Sequence, residues 1–418
     1  MKAGVAVVDI TPPPGLLMSG FAARTEPSVG AHDPLTVRAL VVGDTALVTV
    51  DVVGLHEEMV ARIRARTELP DANVVVAAIH THGAPISQVG RLGDAPDPAF
   101  LRAIEDGCVA AIAEARANVR AATISAGMGA DPDVARNRRH ADGPLDRALP
   151  VLRFRDAAGQ VFAVLVSYAC HPVVLAADNR LLTADYVHYV REAVEAAHPG
   201  AVAVFATGCC GDVNTGHSAH ASWTLAANAT RSFDTAERLG RRIGVAALAA
   251  GEAPVAPGVA ALAADVVLRL TRLEQEPLPV LAGRWRAERD DADPVRRTVL
   301  DAWIGWADRY SNAPAGSWTG RVSVFDWGGV PIVALPGEIF AETGLLIREA
   351  IGDRPAFIIS YANGTPGYIP PASEFRHGGY EVDEAHRFIG MPGTFAPGSA
   401  ESLAGAAQAL LGIAGLNR

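Results

Sequence analysis

Lysine is almost missing from this 418-residue chain: Lys2 is the only one, and the remaining positive charge is arginine scattered without a basic run. With 36 basic and 46 acidic residues the formal net charge is −10. Nucleic acids and anionic membranes both reward clustered positive charge, so neither is an expected partner. Cysteine is scarce too. Cys108, Cys170, Cys209 and Cys210 form no CxxC pair and no disulfide framework, which suits a reducing compartment. No uncharged apolar run reaches the roughly 18–20 residues that a membrane-spanning helix needs. The longest, Val161 to Ala177, contains His171 and Pro172. The opening MKAGVAVVDITPPPG carries no long apolar segment before a cleavage site, because Asp9 and the prolines interrupt it. A cytoplasmic protein is therefore expected. There is also no sequence repeat, low-complexity tract or Gly/Ser linker, so residues 1–418 are expected to form a single domain.

What is present is a chain rich enough in apolar residues (50%) to bury a large core, which excludes general disorder. Short apolar runs alternate with longer helical ones, the pattern of an α/β fold. Strands are predicted at 36–42, 45–51, 73–79, 160–169, 201–207, 321–327, 330–335 and 356–362. Helices are predicted at 55–66, 98–117, 184–197, 234–250, 338–351 and 400–414. The charged, Trp-bearing stretch 272–310 reads as one or two surface helices with a solvated polar face.

Five of these strands run into residues that bind metals or move protons. They lead to His80-Thr81-His82, to His171-Pro172, to Cys209-Cys210-Gly211-Asp212-Val213-Asn214, to Glu338, and through a Pro-Gly turn to Tyr368. Ligands of α/β sheets bind where the carboxyl ends of strands meet, so residues scattered in sequence can converge there. A catalytic zinc takes three or four N and O ligands and leaves a place for water. His80 and His82, two apart in an extended segment, would face one side, with one of them free of the ion. His171 follows a long apolar run and must be paired if buried. Glu338 follows Pro336-Gly337 at a predicted helix start, where stabilisation by the helix dipole is the alternative explanation. Cys209 and Cys210 read as small buried residues, since adjacent cysteines chelate one ion poorly.

In order along nearly the whole chain, AGVAVVDITPPPG, MSGFAAR, GAHDPLTVRALVV, AAIHTHGAP, VARNRRH, LVSYACHPVVL, TGCCGDVNTG, ALPGEIF and ANGTPGYIPPASEFRHGGYE carry a resemblance. The chain is similar to the catalytic, N-terminal domain of the neutral/alkaline non-lysosomal ceramidase family, and more closely to its shorter bacterial members. The family comprises zinc-dependent amidohydrolases that cleave N-acylsphingosine. The resemblance implies an α/β domain of central mixed sheets flanked by helices, without the family's C-terminal immunoglobulin-like domain. It implies one zinc ion per chain, held by His80, His171, Glu338 and Tyr368. It implies His82 as general acid/base, Tyr380 steadying the oxyanion, and Arg138 orienting the scissile amide or neighbouring hydroxyls. The family's Gly-Asp-Val-Ser-Pro-Asn stands here as Gly211 to Gly216, with Asn214 in place of the serine. A serine nucleophile is excluded at that position, and Asp212 and Asn214 are left as positioning residues.

The expected activity is hydrolysis of an N-acyl amide by metal-activated water, on a small-molecule substrate smaller or more polar than ceramide. A homo-oligomer is compatible with this composition. Ceramidase activity proper, a zinc-dependent esterase, lactonase or cyclic-amide hydrolase, and a non-catalytic binding protein remain alternatives. Amide and ester hydrolysis share one tetrahedral intermediate. Specificity is expected from loops 84–97, 214–235 and 272–320, where Trp223, Leu225, Phe233 and Trp318 are the apolar residues a lipid tunnel would use.

Overall fold

The computed structural model describes residues 1–93 and 96–417. Its fold is α/β, built on three five-stranded mixed sheets flanked by helices. All three follow one plan. In the first, the hairpin Thr36–Val42/Thr45–Val50 is followed by the helix Glu57–Ala65 and the strand Val74–Ala78, parallel to Thr45–Val50. In the second, Leu149–Arg155/Val161–Tyr168 is followed by Tyr186–Ala197 and the parallel strand Val202–Thr207. In the third, Ser317–Trp327/Val330–Ala334 is followed by Ala341–Ile351 and the parallel strand Phe357–Ile359. A hairpin joins antiparallel strands directly, whereas a parallel pair needs a crossover, and the helix supplies it. The third hairpin turns on Gly328-Gly329, both at positive φ (69° and 88°), the backbone that a two-residue loop of matching twist requires.

The parallel strands are apolar except for Thr207, as strands covered on both faces are, and they meet. Ser360 N donates to Thr207 O (3.0 Å) and Asn363 N to Val76 O (2.8 Å), while Thr207 Oγ1 donates to Ile79 O (2.7 Å). One core draws Leu47 and Val75, Leu165 and Val204, and Ile332 and Phe357 from the three sheets together. The carboxyl ends of all three parallel pairs therefore gather at one place.

Every predicted strand and helix has a counterpart, but among the described residues four strands longer than two residues are not predicted: Lys2–Asp9, Thr123–Gly129, Leu149–Arg155 and Val259–Thr271. Pro150 and two arginines mask the third, and four alanines mask the last. The stretch 272–310 is two helices, Leu278–Asp291 and Pro294–Tyr310, the second capped by the Asp293 carboxylate. The predicted helix 338–351 begins at Ala341; Glu338–Ile339 is instead a two-residue strand parallel to Tyr368–Ile369. This corrects the helix-dipole explanation for Glu338.

A buried ion pair ties the second crossover helix to the first sheet. Arg191 Nη1 and Nη2 donate to Asp51 Oδ1 and Oδ2 at 2.8 and 2.9 Å, and Asp51 also accepts from Thr36 N and Oγ1. Removing one partner leaves a charge unpaired in the core, so Arg191→Met should lower stability by about 3–5 kcal/mol. Denaturant unfolding checks this; a loss under about 1 kcal/mol would show the pair to be dispensable.

Candidate metal centre

Each of the three units delivers one donor to the meeting point. His80 leaves Val74–Ala78 in a left-handed conformation (φ 71°), which turns its ring inward, and its Nδ1 bonds Val53 O at 2.5 Å. The kink corrects the expectation of an extended His80–His82 segment, although both rings still reach one cavity. His171 follows Val161–Tyr168, and its Nδ1 lies 2.5 Å from Cys210 O. Carbonyl partners fix both imidazoles with hydrogen on Nδ1 and the lone pair of Nε2 facing the centre. There Glu338 Oε2 is 3.2 Å from His80 Nε2 and 3.3 Å from His171 Nε2. His80, His171 and Glu338 are buried, with donor atoms within 4.8 Å of one another, and could hold a metal ion. Two imidazole nitrogens and a carboxylate oxygen form a donor set that suits zinc. Burial alone would raise the Glu338 pKa, but the two imidazoles override it and hold the carboxyl well below the usual range. Burial, then the Arg138 cation, lowers His171 to about 4.

Tyr368 stands in register beside Glu338 in the short parallel ladder, and its ring stacks against His171 with centroids 6.5 Å apart. Its hydroxyl accepts from Arg138 Nη2 at 2.9 Å. Burial and Glu338 push that hydroxyl well above the ordinary tyrosine pKa, against the pull of Arg138. Arg138 also donates to Gly211 O (2.9 Å) and, through Nε, to Glu381 Oε1 (2.8 Å). Arg139 continues the clamp onto Glu374 (2.8 Å) and Glu381 (2.6 Å). Glu374, Glu381 and Arg139 were not legible as site-supporting residues, because a charge in a polar loop reads as solvated.

His82 Nε2 lies 3.4 Å from His80 Nε2, outside the three-donor group, and its Nδ1 is buried with no hydrogen-bond partner among the described residues. Burial first, then His80 and His171, lower its pKa well below the usual value, so the ring is a neutral base at neutral pH. Tyr380 opens a π-helical turn; its ring lies 5.9 Å from Tyr368 and 6.3 Å from Trp223. Asp212 accepts from Ala341 N (2.8 Å) and Asn137 Nδ2 (2.7 Å), and burial raises its pKa to about 6. Asn214 closes its own loop: Oδ1 accepts from Gly216 N and His217 N, and Nδ2 donates to His217 O. In this structure the hydrogen bonds of both side chains go to the scaffold. The apolar loop residues have different partners. Trp223 sits by Tyr380, Phe233 stacks on His32 at 3.9 Å, Trp318 donates to Glu57, and Leu225 is 51% exposed.

The His82 ring rests on Gly20, whose backbone has φ 97° and where a Cβ would fall 2.5 Å from the imidazole. Gly20→Ala should therefore destabilise the protein by about 1–3 kcal/mol and shift the His82 imidazole resonances. Unfolding and NMR check this; unchanged resonances would show that the contact does not set the ring.

Comparison with known proteins follows the same lines. The family described as neutral/alkaline non-lysosomal ceramidase, N-terminal, matches residues 1–224. The neutral ceramidase of Drosophila melanogaster is 27% identical over 220 residues, which cover 45% of this chain and 31% of that protein. That of Drosophila pseudoobscura pseudoobscura is 28% identical over the same length and coverage. The matched stretch thus spans about a third of these relatives. The solved neutral ceramidase of Pseudomonas aeruginosa superposes with a TM-score of 0.74 at 19% identity, covering 98% of this chain and 74% of its own. A ceramidase complexed with C2 gives a TM-score of 0.75 at 18% identity, covering 99% and 75%. Those structures share the fold, and the sequence match extends over more than half of the residues: the chain belongs to the neutral/alkaline non-lysosomal ceramidase family.

Proposed function

We propose that residues 1–418 form one zinc-dependent hydrolase domain that cleaves the amide bond of an N-acyl substrate with an activated water. The observation that carries this reading is the buried group of His80, His171 and Glu338, assembled from three sheets at the carboxyl ends of their parallel strands. Those residues and Tyr368 would hold the ion. A zinc ion bound there would polarise the carbonyl and bring the pKa of its water down toward about 7. His82, neutral and with Nε2 turned toward the three donors, takes the proton of the attacking water and returns it to the leaving amine. The Tyr380 hydroxyl, which makes no hydrogen bond among the described residues, donates to the developing oxyanion, a contact worth about 3 kcal/mol. Arg138 holds Tyr368 in place and orients the substrate from the same side. Asp212 and Asn214 act through the loops they brace, and Asn214 offers no nucleophile, because a carboxamide is a poor attacking group.

The substrate we infer is a short or polar N-acyl compound. Its support is that the apolar loop residues have separate partners, Phe233 on His32 and Trp318 on Glu57, with Leu225 exposed. Ceramide is the second reading, favoured by the rings of Trp223 and Phe388 beside Tyr380, with Trp303 packed against both.

His171→Ala should abolish stoichiometric zinc in elemental analysis. His82→Ala should keep the ion and lose roughly 10²–10⁴-fold in turnover; loss of the ion instead would make His82 a ligand. Comparing kcat/KM for a short-chain N-acyl amine with that for long-chain ceramide in detergent decides the substrate. Preference for ceramide overturns the short-substrate reading.

A further inference from the structure

Tyr361 is fully buried behind two of the three donors. Its ring stacks on His80, centroids 4.1 Å apart and planes 18° apart. Its hydroxyl lies 3.4 Å from His171 Nε2 and 3.4 Å from Cys210 Sγ. Cys210 in turn receives His171 Nδ1 on its carbonyl, so one residue pair holds both ends of that imidazole. Tyr361 and His80 are both non-glycine residues in the left-handed region (φ 57° and 71°). Such a backbone is unfavourable for a residue other than glycine and persists only where its surroundings impose it. The surroundings here are the neighbouring sheets: Tyr361 N donates to Gly337 O (3.0 Å) and Ala78 N to Tyr361 O (3.1 Å). The paired strain aims two aromatic faces at each other immediately behind the donor atoms.

We propose that Tyr361 is a positioning residue of the metal centre, its ring backing His80 and its hydroxyl alternating between His171 Nε2 and Cys210 Sγ as the ion leaves or binds. The proposal rests on the ion-binding reading of His80, His171 and Glu338. When an ion takes the lone pair of His171 Nε2, the hydroxyl loses that acceptor, and the sulfur at equal distance receives its proton instead. When the site is empty, the hydroxyl holds the imidazole in place. In either state the two rings stay aligned, and little reorganisation accompanies binding. Outer residues that orient metal ligands are typically worth 10–100-fold in affinity.

Tyr361→Phe keeps the ring and removes the hydroxyl; Tyr361→Leu removes both. Zinc affinity from chelator competition, and the visible spectrum of the cobalt(II)-loaded protein, report on the centre independently of turnover. Tyr361→Phe should bind zinc about 10-fold or more weaker, and Tyr361→Leu weaker still with shifted cobalt bands. If Tyr361→Leu does not fold, the phenylalanine variant decides alone. Wild-type protein that binds neither metal overturns both the ion-binding reading and this proposal. Wild type and both variants binding with one affinity and one spectrum overturn the role of Tyr361 and leave the ion-binding reading standing.

Discussion

A carboxylate taken out of water needs a positive or strongly hydrogen-bonding neighbour, and among the described residues Glu338 has no ammonium or guanidinium within bonding reach. Its oxygen faces two imidazoles that their own carbonyl partners keep from turning away. The arrangement costs desolvation on every member, and it is held by the backbone of three sheets rather than by side-chain freedom. Strand ends that must meet explain the continuous apolar runs, the crossover helices and the hydrogen bonds from one sheet to the next.

The same logic accounts for what surrounds the centre. Arg138 and Arg139 stand between the loop that carries Tyr380 and the turn at Gly211, with Glu374 and Glu381 as partners. Buried in pairs, these charges bind a long irregular segment to the sheets where few apolar contacts are offered. A polar clamp of this kind locates a loop by direction as well as by distance, which an apolar contact does not.

Much of this is legible from sequence because the determining signals are local. A run such as VVVAAI ending in His80, or AVLVSYAC ending in His171, announces both a covered strand and an unusual polar terminus. Glu338 is harder. Its flanks resemble a helix start, and only the distant Tyr368–Ile369 segment makes it a strand. The strand Val259–Thr271 is lost because alanine carries no preference for the pleat, and its partner Ser317–Trp327 lies some fifty residues on. Tyr361 is the least legible: at the end of AFIISYA it reads as one more core aromatic, and only the three-dimensional fold sets its face against His80. The common plan of the three sheets leaves no trace in sequence either, since the plan lives in pairing and not in residue identity.

His171 and Glu338 are 167 residues apart, and His80 precedes both in a separate hairpin-and-helix unit. No unit alone presents more than one of the three donors. An ion held among them is topologically a three-armed cross-link, and it would close large loops of the polymer, much as a covalent staple does. Loop-closure entropy grows only slowly with length, so such a link restrains almost the whole chain through three atoms. The centre is in that sense the last thing the chain can complete, because its donors come together only when all three units have docked.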